Sequence, residues 1–383
     1  MSIEQTGVSR KKIYFEHLDG LRFFCFLAVF FFHSFHTENP SIEENSLFAT
    51  VKHHVFGNGF LGVNFFFVLS GFLITYLLIE ERRLKGKINI LNFWLRRILR
   101  IWPLYFACVF IGFVVFPLAK SMAGGIPVES ANPWYYIGFI NNFDYIAKGL
   151  PDAPGLGVLW SIAIEEQFYL VWPLVLSVFP IKKYWIPFVI IIAGSLVYRA
   201  FHDVHILHEM HTLSCIGDMA IGAMGAWLLL ERPQFFKAIE QLPRAVIVSA
   251  YILFFMIFLF RDELMLDNYY MRIFERAVLA VTILVIIMEQ CFSENSFYKM
   301  GNFKAVSRLG LITYSLYCIH FMVISATYGV INKTGMNQQV WQVLLIPTLI
   351  SFIITFVVSR FSYKYFESPF LKLKDKFSYI TKK

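Results

Sequence analysis

The chain has 383 residues, 57% of them hydrophobic and 16% charged, with 43 Phe and a formal net charge of +8. That make-up excludes a soluble enzyme of ordinary composition and leaves a polytopic helical membrane protein. The excess of cations requires no nucleic-acid partner, because basic loops face the anionic lipids of a cytoplasmic leaflet.

In chain order, apolar stretches at Leu18–His36, Gly59–Ile79, Ile101–Ala119, Trp160–Phe179, Trp185–Val197, Cys215–Leu230, Ala245–Phe260, Ile273–Met288, Leu309–Ile331 and Val340–Phe361 predict ten spans. Several are long enough to cross about 30 Å of hydrocarbon. A shorter patch, Trp134–Phe143, carries Asn141 and Asn142, ends at Asp144, and reads as re-entrant or interfacial. The expected fold is an all-α polytopic bundle of about ten transmembrane helices plus that short segment, forming one domain over 1–383.

Ten spans put most of the 34 Lys+Arg, the N-terminal segment 1–17 and the basic tail 367–383 on the cytoplasmic side. An eleventh span would carry Lys372 to Lys383 outside, against the positive-inside rule. After Arg10–Lys12 comes a full-length span with no small-x-small site, so the first helix reads as an uncleaved anchor. The longest polar stretches, Thr37–Asn58 and Ala119–Gly157, fall on the outer side, and the second has the Gly and Pro content of a loop that caps a cavity. There is no repeat, low-complexity linker or appended soluble domain. Cys25, Cys108, Cys215, Cys291 and Cys318 lack CxxC spacing and read as small buried hydrophobes.

Ionisable groups inside spans are costly, so each is a candidate for function. Arg22 and His33 are eleven positions apart, within about 20° of one helix face and roughly 16 Å apart along the axis. His33, at the outer end, suits a general base. For Arg22 three roles stay open: pairing with Asp19 at i−3, orienting substrate, or steadying a thioester carbonyl oxygen. Arg96, Arg97 and Arg100 gather three guanidiniums within about one turn, as phosphate contacts or as a positive-inside marker. Glu165 shares a face with Ser161 and Tyr169 and has three open uses: orienting His33, holding an acceptor hydroxyl, or neutralising Arg22. Glu166 points about 100° away, toward water. Gly71, after Ser70, allows close approach of another helix or a thin pantetheine arm. Asp218, Gly222 and Gly225 share a face, and Glu275, Arg276 and Glu289 read as internally ion-paired. His202, His205, His208 and His211 recede around a helix too fast to converge on a metal and read as a solvated outer loop, so no metal site is expected.

Six segments occur in order: Leu18–Arg22 (LDGLR) with His33, Gly62–Ile74 (GVNFFFVLSGFLI), Arg96–Tyr105 (RRILRIWPLY), Trp160–Leu170 (WSIAIEEQFYL), Thr313–His320 (TYSLYCIH) and Tyr363–Phe370 (YKYFESPF). Together they resemble the successive signatures of the integral-membrane acyltransferase-3 family, from Leu18 to Phe370. The resemblance implies an O-acyltransferase of the bacterial inner (plasma) membrane. Its donor would be cytoplasmic acyl-CoA, acetyl-CoA in the usual case, and its acceptor a hydroxyl of a glycan or small molecule on the outer side. No permanently bound cofactor is implied. The Arg-x-x-Arg pair Arg97 and Arg100 is assigned to acyl-CoA, Glu165 is favoured over Glu166, and Tyr314 and His320 fall in a matched signature as supporting groups. Asn64 stands where the family commonly has an acidic residue, which leaves acid–base work there in doubt while keeping a hydrogen bond to sugar open. Relatives that carry an extracytoplasmic hydrolase-like domain extend beyond such a bundle, so this chain is expected either to complete the transfer or to hand over to a partner. A carrier or flippase for lipid-linked glycans and a non-catalytic binding subunit are the rival readings; carriers often show two-fold internal repeats, and none is visible here.

Overall fold

The computed structural model describes residues 15–377. The extreme N-terminus with Arg10–Lys12 and the end of the basic tail, 378–383, lie outside the described residues. Among the described residues the chain is helix and connection, without a strand. Ten long helices form the bundle: α1 (Glu16–His33), α2 (Leu61–Lys85), α3 (Ile90–Met122), α4 (Trp160–Val178), α5 (Trp185–Phe201), α6 (Thr212–Glu231), α7 (Arg244–Arg261), α8 (Tyr269–Phe292), α9 (Thr313–Thr334) and α10 (Val340–Phe361). Eight segments are long and apolar enough to cross a membrane. The two long helices outside that set are α1, which carries Glu16, Asp19 and Arg22, and α8, which carries Arg272, Glu275, Arg276 and Glu289. Their ionisable residues, not their length, set them apart, and of these Asp19, Glu275, Arg276 and Glu289 are buried.

The expected boundaries shift where local chemistry overrides hydropathy. α1 stops at His33 rather than His36, because Ser34 turns extended and its hydroxyl donates to the Phe30 carbonyl at 2.8 Å. α3 begins at Ile90, so the arginine cluster and the apolar span are one rod. α2 ends on Gly86 in the left-handed region (φ +74°), where a Cβ would be strained, and Arg82, Arg83 and Lys85 sit on the negative end of its dipole. The patch Trp134–Phe143 does not span. It breaks into the short helices Pro133–Ile137 and Asn141–Lys148, with Asn141 and Asn142 buried. The basic tail opens as a helix, Ser368–Asp375.

Glycines set the tightest contact. A Cβ on Gly71 of α2 would strike the Met219 carbonyl of α6, and one on Gly222 of α6 would strike the Val68 carbonyl of α2. Of the two uses open to Gly71, close helix packing is therefore the one realised. α9 packs against α1 and α10, and a large apolar core joins α1, α3, α4 and α9.

Candidate functional site

At the end of the bundle where α3 begins, the three arginines part company. Arg96 is committed to structure: it donates to Glu81, buried on α2, at 2.9 Å, and to the Phe377 carbonyl at 2.9 Å. Arg97 lies over the rings of Phe93 and Tyr169, 5.7 and 5.6 Å from their centroids. Its Nε is buried without a hydrogen-bond partner. Arg100 is exposed.

Beside Arg97, Pro173 removes the N–H that would have reached the Tyr169 carbonyl, and Trp94 Nε1 takes that place at 3.2 Å, tying α3 to α4. The Tyr169 hydroxyl donates to Ser70 Oγ at 3.0 Å, and Ser70 donates to Glu165 at 2.6 Å. One turn further along α4, the Ser161 and Tyr317 hydroxyls are 2.6 Å apart, both over the Val158 carbonyl. Tyr314 donates to the Ile101 carbonyl at 2.7 Å and so fastens α9 to α3.

His33 and His320 close this succession, with His33 Nδ1 3.0 Å from His320 Nε2. His320 is fully buried, and its Nδ1 is 2.6 Å from the Tyr317 carbonyl. A carbonyl only accepts, so His320 Nδ1 carries the proton and Nε2 of the neutral ring can only accept. His33 Nδ1 therefore donates, which leaves the lone pair on His33 Nε2. The His33 ring lies 4.6 Å from that of Phe321. The Pro154–Gly157 turn of the Gly- and Pro-rich loop packs beside Phe321.

Several expectations are corrected. Glu165 bonds neither His33 nor Arg22; it belongs with Ser70 and Tyr169. Glu166 does not face water: one oxygen accepts from Trp102 Nε1 at 2.8 Å and the other is buried without a partner. Of the three roles open to Arg22, the pairing with Asp19 at i−3 is present. Asn64 is buried and donates to Asp218 at 3.2 Å, which removes it from contact with a sugar. An acidic residue there would set two carboxylates against each other.

Sequence reasoning missed Tyr317, although it lies one turn before His320 in a singled-out motif. It also missed most of a buried ion lattice. Arg276 pairs with Asp218 at 2.6 Å and Glu209 at 3.4 Å, Arg199 pairs with Glu275 at 3.5 Å, and Arg261 pairs with both Glu209 and Glu275. Phe260 leaves helical geometry (φ −129°, ψ 29°), a break that directly precedes the buried Arg261. His208, expected in solvent, is buried with Nε2 3.0 Å from the Arg199 carbonyl, whereas His202 and His205 are exposed. A cavity of about 240 Å³ opens over this lattice, lined by Asp203, His205, His208, Glu209, Arg261 and Arg272 among others. Its carboxylates and guanidiniums are paired with one another, unlike Arg97.

The family model described as an acyltransferase domain matches residues 15–360. The peptidoglycan O-acetyltransferase OatA of Listeria monocytogenes is 26% identical over 397 aligned positions, covering 96% of this chain and 57% of that protein. The O-acetyltransferase OatA of Staphylococcus aureus strain NCTC 8325 is 35% identical over 173 positions, 43% of this chain and 25% of that protein. The chain thus spans little more than half the length of the first relative. No solved structure matches it. With that match over most of its length, the chain carries an acyltransferase domain and belongs to the integral-membrane acyltransferase-3 family.

Proposed function

We propose that this chain is a membrane O-acyltransferase that takes an acyl group from cytoplasmic acyl-CoA and delivers it to a hydroxyl at the outer face, with His33 as general base. One observation carries the reading: polar side chains succeed one another through the bundle from Arg97, by Tyr169, Ser70 and Glu165, past Ser161 and Tyr317, to the His320–His33 pair. From Tyr169 to Ser161 alone, eight residues of helix rise about 12 Å. A carrier needs no positioned base at the end of such a line.

The acceptor alcohol is a poor nucleophile until its proton is drawn off, and His33 Nε2 is the free acceptor for it. The alcohol oxygen bonds to the thioester carbonyl carbon, the carbon–sulfur bond breaks, and the imidazolium returns the proton to the departing thiolate. The products are an ester and CoA thiol. Arg97 and Arg100 are assigned to acyl-CoA, the exposed Arg100 to its phosphates, with Arg96 withdrawn to the Glu81 pair. Glu165 is assigned, with Ser70 and Tyr169, to the polar midpoint, and Arg22 with Asp19 to an anchoring pair of α1.

Acetyl is the acyl group to test first, and peptidoglycan, named for the Listeria relative, the first acceptor. The assigned setting is the bacterial plasma membrane with both termini cytoplasmic. The test feeds labelled acetyl-CoA to membranes with the wild-type chain, the His33→Ala chain or neither, and locates the label by mass spectrometry. The wild type should acetylate an envelope hydroxyl, and His33→Ala should lose about 10²–10⁴ in rate. A fully active alanine variant removes His33 from the reaction.

A further inference from the structure

We propose that Arg97 Nε and Glu166 Oε1 form a two-point clamp for a secondary amide of the acyl donor's pantetheine arm. The inference rests on the reading of acyl-CoA as donor. Both atoms are buried and neither has a hydrogen-bond partner. An unmet buried polar atom is costly, and natural interiors leave few of them. Two unmet atoms of complementary type, within electrostatic reach of one another on facing helices, mark a place that something else completes.

The chemistry of the two atoms narrows what that is. Arg97 Nε can only donate, and Glu166 Oε1, as a carboxylate oxygen, accepts. An anion would satisfy the arginine and be repelled by the glutamate; a cation would do the reverse. A secondary amide offers its carbonyl oxygen to one and its N–H to the other. The pantetheine arm joins the phosphates of CoA to the thioester and contains two such amides. Arg97 lies one turn from the exposed Arg100 on α3, and Glu166 adjoins Glu165, the partner of Ser70, on α4, so an arm running from Arg100 to the Ser70–Glu165 pair would pass beside both. The clamp is also oriented: Trp102 Nε1 holds the second oxygen of Glu166 at 2.8 Å, and the Arg97 guanidinium lies over the Phe93 and Tyr169 rings.

Trp102 makes the test selective. In Glu166→Gln the indole N–H must take the amide oxygen, so the side-chain NH2 replaces Oε1 and meets the ligand's N–H donor to donor. The shape is retained and the match is lost. The full chain in lipid nanodiscs transfers acetyl from labelled acetyl-CoA while two truncated thioesters compete: S-acetyl-N-acetylcysteamine, with one secondary amide, and S-pentyl thioacetate, with none. The wild type should be inhibited at least tenfold more strongly by the amide-bearing compound. Glu166→Gln should bring the two within twofold while retaining thermal stability. Adding Trp102→Phe, which frees the glutamine to turn its oxygen inward, should restore part of the preference. Equal competition in the wild type, including none by either compound, overturns the clamp, as does a preference that survives Glu166→Gln. Failure of the wild type to use acetyl-CoA at all overturns the donor reading instead.

Discussion

His320 gives the sharpest quantitative expectation. It is fully buried and accepts the His33 Nδ1 proton, and the 3.0 Å contact is charge-assisted once His33 becomes imidazolium. A hydrogen bond to a charged group contributes about 1.5–3 kcal/mol, and each 1.36 kcal/mol of barrier is tenfold in rate. His320→Leu keeps the volume and removes the acceptor, so kcat should fall about ten- to a hundred-fold. The KM for acyl-CoA should stay unchanged, since Arg97 lies at the other end of the polar line. His320→Gln can offer an oxygen near the Nε2 position and should recover about a decade of the loss. The assay is initial rate at saturating acetyl-CoA and acceptor in nanodiscs, with thermal midpoints recorded for each variant. A leucine variant that folds and works within twofold of wild type refutes the positioning role. So does a glutamine variant no better than leucine.

Arg97→Ala should raise the KM for acyl-CoA with little loss of stability, whereas Arg96→Ala leaves the buried Glu81 carboxylate short of its guanidinium and should cost about 3 kcal/mol; thermal unfolding with paired kinetics separates the two. Gly71→Ala drives a methyl into the Met219 carbonyl and should destabilise the α2–α6 contact by about 1–3 kcal/mol, seen as a lower melting midpoint in detergent. Outside the spans, the hydrogen-bonding guanidinium of Arg272 holds the Asp203 carboxyl below the usual carboxylate range. A lowered folded value stabilises above the unfolded value and is lost as pH falls through the folded one. Asp203→Asn should therefore lower the melting midpoint slightly at pH 7 and not at all at a pH below both values; an equal drop at both would deny the ion pair its role.

The helical bundle was legible because hydropathy and length report membrane spans directly, and α10 has the expected bounds, Val340–Phe361. What failed is instructive. Hydropathy cannot see Ser34 ending α1 early, nor the kink beside Arg261. Helix-face reasoning placed Arg22 and His33 together correctly as a statement about one helix, yet the partner of His33 comes from α9, 287 residues away. No periodicity within α1 contains that pairing. The Ser161, Glu165 and Tyr169 face was readable from spacing, but its orientation toward Ser70 depends on α2 being brought in by glycines. Arg199, Glu209 and Arg261 escaped because each lies near the end of a helix, where a charged residue reads as solvated.

These two polar systems are built on opposite principles, and the contrast bears on catalysis. The ion lattice draws on α5, α6, α7 and α8 and the short helix His205–Met210, and every carboxylate in it meets a guanidinium. Buried pairs of this kind return little net stability, but breaking one is expensive, so the lattice fixes those helices relative to one another. The line from Arg97 to His33 uses α1, α2, α3, α4 and α9 and, among the described residues, leaves the Arg97 guanidinium without an ion pair and Glu166 Oε1 unmet, whereas the one unmet atom of the lattice, Arg276 Nε, belongs to a guanidinium already paired with two carboxylates. One helix belongs to both. α2 gives Asn64 to the lattice through Asp218 and Ser70 to the line through Glu165, on faces about 120° apart. The lattice thus helps to set the register of α2, and α2 in turn sets Ser70, so a side chain at Gly71 that pushes α2 from α6 should displace Ser70 from Glu165 as well.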